Sequence, residues 1–167
     1  MPISLKSPPL PLLAVILLAF LPGCATFVEY GSETDAGIGV RGNIPLGQVL
    51  TAEDQRGAGA ISRLELAVSA HHFFPSGADY TEANADLLLP LLRVGDGAAR
   101  TYAGTGIHVG RLSPDAGGSD TKIGLNLVGG LRFDRPVLAP FFEVRGSVGG
   151  MDQLSAAVGV QIFGGMF

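Results

Sequence analysis

The sequence predicts an all-β fold, an antiparallel up-and-down barrel of about eight strands that follows an N-terminal signal helix. Two observations carry this. Several segments alternate apolar and polar or small residues with a period of two, which places the two sets on opposite faces of a strand. The 25 glycines are spread through the apolar segments as well as the turns, and inside those segments they disfavour helix. Clusters of Gly, Pro, Asp and Ser separate the segments and mark turns.

The clearest strand is Lys122 to Phe133. Ile123, Leu125, Leu127, Leu131 and Phe133 share one face; Lys122, Asn126 and Arg132 share the other, with Gly124 and Gly130. From Ile61 to Phe73, Leu64, Leu66, Val68 and Ala70 oppose Arg63, Glu65, Ser69 and His71. From Pro140 to Val148, Phe142, Val144 and Val148 oppose Glu143, Arg145 and Ser147. From Gln153 to Phe163, Leu154, Ala156, Val158, Val160 and Ile162 oppose Ser155, Gly159 and Gln161. The pattern is weaker over Ala36 to Ile44 and over Thr81 to Arg93, where Leu87, Leu89 and Leu91 oppose Glu82, Asn84 and Asp86. Arg100 to Leu112 is ambiguous, because Tyr102 and His108 share a parity with three glycines. A short strand from Thr26 to Ser32 completes eight. The connection from Pro45 to Ala60 has room for a short helix.

Before the strands comes Leu10 to Leu21, an apolar run preceded by Lys6, the only charge before Cys24. A basic start, an apolar run of about 7–15 residues and a small-residue cleavage site describe an export signal. The run is shorter than the roughly 20 residues a membrane-spanning helix needs. It ends in Leu21-Pro22-Gly23-Cys24, which resembles the lipobox of bacterial lipoproteins. The resemblance implies cleavage before Cys24, acylation of the Cys24 thiol and of the new amine, and dealings with the lipoprotein-processing machinery. Cys24 is the only cysteine, so an intramolecular disulfide is excluded. Ala25 stands where an Asp would favour inner-membrane retention in the enteric sorting rule, which points to the outer membrane of a Gram-negative bacterium. The expected organisation is a signal peptide over residues 1–23 and one domain over 24–167. Loss of Lys6 takes the formal net charge from −4 to −5, which disfavours nucleic acid as a partner.

Alternation alone does not separate a soluble barrel from a membrane barrel. Strand length does, since a tilted membrane strand takes about 9–11 residues and a soluble strand about 5–6. So do mid-strand charges, which can pair across the interior of a narrow barrel. The expected lumen charges are Arg41, Arg63, Glu65, Glu82, Asp86, Lys122, Arg132, Glu143 and Arg145, with Glu82 and Asp86 as partners of Arg63, Arg145 or Lys122. Phe73, Phe74, Tyr80, Tyr102, Phe133, Phe141, Phe142 and Phe163 near strand ends are expected to form interfacial girdles. The pattern GGLRF, a Pro-containing turn, PFFEVRG, a turn and AAVGVQIF resembles the closing strands of small outer-membrane barrels of the opacity and porin-like type. It implies outer-membrane lipids and the barrel-assembly machinery as partners. The terminal Phe167 is in keeping with such a chain, but it has the parity of Gln161 rather than of Val160, and Gly164-Gly165 precede it.

Little in the sequence suggests catalysis. His71 and His72 point to opposite faces of a strand, and His108 has no Cys or acidic partner at ligand spacing, so no metal or cofactor is expected. Glu82 and Asp86 lie about 13 Å apart along a strand, too far for a carboxylate dyad. The function expected is structural or adhesive, or a narrow pore, without enzymatic activity. One alternative is a periplasm-facing lipoprotein whose soluble barrel or sandwich buries Leu125, Leu127, Val144 and Val158 and binds an apolar ligand. Another is a barrel enzyme that modifies lipid A, for which Ser69 and His71 share a face two residues apart.

Overall fold

The computed structural model describes residues 23–49, 59 and 61–162. Residues 1–22, over which a signal segment is expected, and Phe163 and Phe167 at the other end lie outside the described residues. The chain forms a closed barrel of eight antiparallel strands in sequence order. They are β1 (Cys24–Gly31), β2 (Asp35–Pro45), β3 (Glu65–Phe73), β4 (Ala78–Val94), β5 (Ala99–Pro114), β6 (Asp120–Phe133), β7 (Leu138–Val148) and β8 (Gln153–Ile162). Closure comes from β1 on β8, with Ala25 opposite Gln161 and Gly31 opposite Ser155. Among the described residues every strand has a ladder partner on both sides, and the ends of β4 and β6 run past their shorter neighbours β3 and β7; a closed ladder is the condition for a sheet to sit in a medium that cannot hydrogen-bond it.

The first strand starts at Cys24, two residues before the alternation alone suggests. A single turn of helix, α1 (Leu46–Val49), opens the connection after β2. The other end of that connection corrects an expectation. Ile61–Arg63 form a 3-10 turn, closed by Leu64 N donating to the Ile61 carbonyl at 3.0 Å, and β3 begins only at Glu65. The apparent alternation from Ile61 to Leu64 is therefore a turn and not a strand.

The start of β1, the end of β8 and both described ends of the 46–64 connection lie at one rim, which we call the terminal rim. The links there after β4 and β6 are short, residues 95–98 and 134–137. The distal rim carries only residues 32–34, 74–77, 115–119 and 149–152. The β4–β5 reversal runs through Gly95, Asp96 and Gly97 with φ of 60°, 54° and 86°. Three successive left-handed residues need glycine or a short polar side chain, and the sequence supplies both. In β4 the register slips between Pro90 and Arg93, and the proline, which has no N–H to give to the ladder, sits at the irregularity.

The wall is inverted relative to a soluble protein. Ile123, Leu127, Leu125, Val158 and Val144 face out, with exposures of 70%, 70%, 59%, 55% and 37%. The soluble alternative needs the last four buried, and they are not. Side chains of opposite parity face in. The ambiguous strand β5 resolves the same way: Tyr102 and His108 are buried with Gly104, Gly106 and Gly110 on the lumen side, and Ile107 and Val109 are outside. These glycines make room. A Cβ at Gly106 would fall on the Asp86 carboxylate and the Ala85 carbonyl.

Candidate functional site

Among the described residues the lumen gathers most of the buried polar and charged side chains, and strand alternation builds it. Near the terminal rim, Glu65 on β3 takes a two-pronged ion pair from Arg132 on β6, at 2.9 and 3.0 Å. Arg132 also reaches the Gln161 amide oxygen at 3.1 Å, and Asn43 Nδ2 donates to Glu65 at 3.1 Å.

At mid-height, Glu143 accepts from Arg41, from the Tyr102 hydroxyl at 2.8 Å and from Arg145 at 3.2 Å. The Arg41 guanidinium carbon lies 4.5 Å from the centre of the Phe141 ring. Arg145 also pairs with Asp86 at 2.9 Å and donates to the Asn84 amide oxygen at 3.0 Å. Asn126 Nδ2 donates to Asn84 at 2.6 Å and to Asp86 at 3.1 Å. Because carboxylates only accept, this fixes the Asn126 amide with its oxygen toward His108 Nδ1, at 2.8 Å, and Ser147. His108 therefore carries its proton on Nδ1. Charges removed from water in this way are tolerable because each is paired and hydrogen-bonded.

Toward the distal rim lies a separate relay. Glu29 Oε1 is 2.6 Å from His71 Nδ1, and His71 Nε2 is 2.7 Å from the Ser69 hydroxyl. The carboxylate holds the proton on Nδ1, so in the neutral ring Nε2 accepts from Ser69. This has the connectivity of a nucleophile–base–acid triad. Ser69, however, is only 4% exposed, inside the lumen, and Phe27 and Phe73 lie against the imidazole with ring centres 5.0 and 6.2 Å away. The hydroxyl is offered neither to lipid nor to solvent.

The structure brings Arg41, Glu65, Glu82, Asp86, Arg132, Glu143 and Arg145 into the lumen, as the parity predicts. Two expected members are displaced. Arg63 is exposed on the 3-10 turn at the terminal rim. Lys122 has inward parity but stands at the distal mouth, with its side chain 57% exposed and its ammonium 3.5 Å from Asp120. Neither pairs with Glu82 or Asp86: Glu82 accepts from Tyr80 at 2.8 Å, and Asp86 takes Arg145.

The girdle is also corrected. Phe73, Tyr80, Tyr102 and Phe141 are buried in the lumen at 1%, 2%, 7% and 2% exposure, while Phe74, Phe133 and Phe142 face out. Position near a strand end does not decide this; parity does. The sequence reading missed Glu29, Asn84, Asn126, His108 and Gln161 as network members. All have the lumen parity of their strands, which was the available signal. Among the described residues, no group of three or more His, Cys, Asp and Glu is placed to hold a metal ion. His71 and His72 face opposite ways, inward and outward.

A closed barrel with an apolar wall and a charged, filled interior is the architecture of small membrane barrels. The chain is similar in fold to Neisserial surface protein A, with 15% identity, 83% of this chain and 93% of that one covered, and a TM-score of 0.50. A second similar structure is Ail, the attachment invasion locus protein of Yersinia pestis, with 12% identity, 85% of this chain and 99% of that one covered, and a TM-score of 0.46. No protein-family model matches the chain, and no curated protein does.

Proposed function

We propose that this chain is a lipid-anchored protein of the bacterial outer membrane whose barrel spans the bilayer and serves a structural role. The observation that carries the reading is the inverted wall: Leu127 is 70% exposed while its neighbour Asn126 is 1% exposed. Water would not tolerate so continuous an apolar surface on a monomer, whereas acyl chains solvate it.

Of the three structural options, the packed lumen argues against a pore. The spaces at its two ends are about 10 Å³, beside Glu65, Arg100 and Arg132, and about 60 Å³, beside Tyr80, Lys122 and Met151. Those are volumes for a water or two. The short distal turns, three to five residues each, argue against a projecting adhesive surface. A barrel enzyme acting on lipid A is the second reading. The Glu29–His71–Ser69 relay favours it, and the burial of Ser69 weighs against it.

Cys24 supports the anchor. It is the first residue of β1, opposite Gly42, with the parity of the outward-facing Thr26, Val28 and Tyr30, although Cys24 itself is buried at 8% exposure. A lipid on its sulfur would thus leave the barrel on the membrane side, with no linker between anchor and strand. Two attachments follow, and one substitution separates them. The Cys24→Ala protein should remain in the membrane fraction and show heat-modifiable migration on a gel, because the barrel alone holds it. Release of that variant as a soluble periplasmic protein would refute the membrane barrel and leave lipidation as the only tie.

A further inference from the structure

The outer wall carries a groove on its distal half. It runs over Gly146 on β7 toward the β7–β8 turn and has a volume of about 550 Å³. Strand register builds it. Gly146 stands opposite Leu127 on β6 and opposite Leu154 on β8. It shares the outward parity of Val144 and Val148. Adjacent strands lie about 4.8 Å apart, so the two leucines stand about 10 Å apart with only a glycine between them. They project from the wall with exposures of 70% and 61%. A Cβ at Gly146 would meet no atom within 4 Å. Leu125 and Val148 carry the apolar lining on toward the distal rim. A slot of that width admits one extended hydrocarbon chain. It touches the chain on three sides where a flat wall touches it on one, and dispersion contacts add with each side.

The polar groups along the groove narrow the class of lipid. Beside its apolar part they are already engaged: Thr105 donates to the Asn126 carbonyl at 2.9 Å, and the Asn126 and Ser147 side chains bond each other in the lumen. At the distal end lie Ser32 and Asp152, both exposed. Asp152 Oδ1 accepts from the Gly149 amide at 2.7 Å, and its carboxylate makes no ion pair among the described residues. Glu33, next to Ser32, is exposed as well, and no Lys or Arg is among the described residues that line the groove. Such an end suits a cation that donates hydrogen bonds and repels an anion. An acyl chain joined to an amine has its parts in the same order as the groove. We propose that the groove holds one acyl chain of an amine-bearing phospholipid, with the ammonium at Asp152. The site rests on the membrane reading above.

The test uses the full chain folded in octyl glucoside. Native mass spectrometry would count the lipid kept by the wild type, Gly146→Leu and Asp152→Asn when each is offered dioleoyl phosphatidylethanolamine or dioleoyl phosphatidylglycerol. Heat-modifiable migration checks that each has folded. The wild type should keep one lipid and favour phosphatidylethanolamine about tenfold, the worth of one hydrogen bond to a charged group. Asp152→Asn should still keep a lipid but lose the preference. Gly146→Leu fills the slot without a clash and should keep neither lipid. If it does not fold, Val148→Phe, which narrows the same groove, takes its place. Equal retention by the wild type and the folded groove variant overturns the site. Retention that the groove variant abolishes, with no headgroup preference in the wild type, overturns the amine assignment. Wild-type dimers without lipid, which Gly146→Leu dissociates, overturn the lipid and make a second copy of the chain the occupant. A wild type that is heat-modifiable yet keeps no lipid sinks this site alone; one that shows no heat-modifiable migration sinks the membrane reading first, and the site with it.

Discussion

Replacing Arg145 with methionine should destabilise the barrel by about 3–5 kcal/mol, the range for removing one partner of a buried ion pair. Arg145 joins Asp86, Glu143 and the Asn84 amide at mid-lumen. Glu143 would still have Arg41 and Tyr102, but Asp86 would lose its only cation while 1% exposed. The cost is the uncompensated Asp86 charge more than the bond itself, so removing both charges together, as Asp86→Leu with Arg145→Met, should recover most of the loss. Arg63→Ala provides the contrast. An exposed rim residue should change stability by no more than about 0.5 kcal/mol. Urea unfolding in lipid vesicles measures all three. Equal effects for Arg145→Met and Arg63→Ala would mean that the lumen network does not hold the barrel together.

Leu127→Arg should cost about 2–4 kcal/mol for folding into vesicles, the range for a cation on the lipid-facing wall near the bilayer centre. Leu127 faces out at mid-strand on β6, opposite Thr105 and Gly146. On a water-exposed wall the same change would fall within about 0.5 kcal/mol. The two media therefore predict different outcomes from one substitution, and the urea midpoint decides between them. Lys122→Ala, at the solvated distal mouth, should leave the midpoint nearly unchanged.

How legible these features were in the sequence depended on what each one needed. Alternation alone placed β6, β7 and β8 and their lumen charges, because a two-residue period assigns every side chain in a strand to a face. It failed where the period continued by accident. Ile61 to Leu64 alternate, yet fold into a 3-10 turn, and Arg63 went astray with them. It was also silent about depth along the barrel axis. Lys122 and Asn126 share a parity, but one stands in the mouth and the other in the packed interior. Aromatic position misled for a related reason. Phe141 and Phe142 are adjacent, so one must point in and the other out, and nearness to a strand end carries no information about which. The Glu29–His71 contact joins residues 42 apart on strands that are not neighbours. No local pattern reports such a pairing; it exists only once the sheet has closed. The slot at Gly146 is likewise a product of register, which sets Leu127 and Leu154 on either side of it.

The central claim is that the barrel presents its apolar wall to lipid, and the absence of tryptophan allows a direct test. A single tryptophan placed at Leu127 and, in a second protein, at Phe141 would give one fluorescent reporter on each face of the wall. In vesicles of brominated phosphatidylcholine, emission from Leu127→Trp should be strongly quenched, and emission from Phe141→Trp, inside the lumen, should be largely spared. Leu127→Trp emission that is untouched by brominated lipid and quenched by aqueous acrylamide would contradict the account.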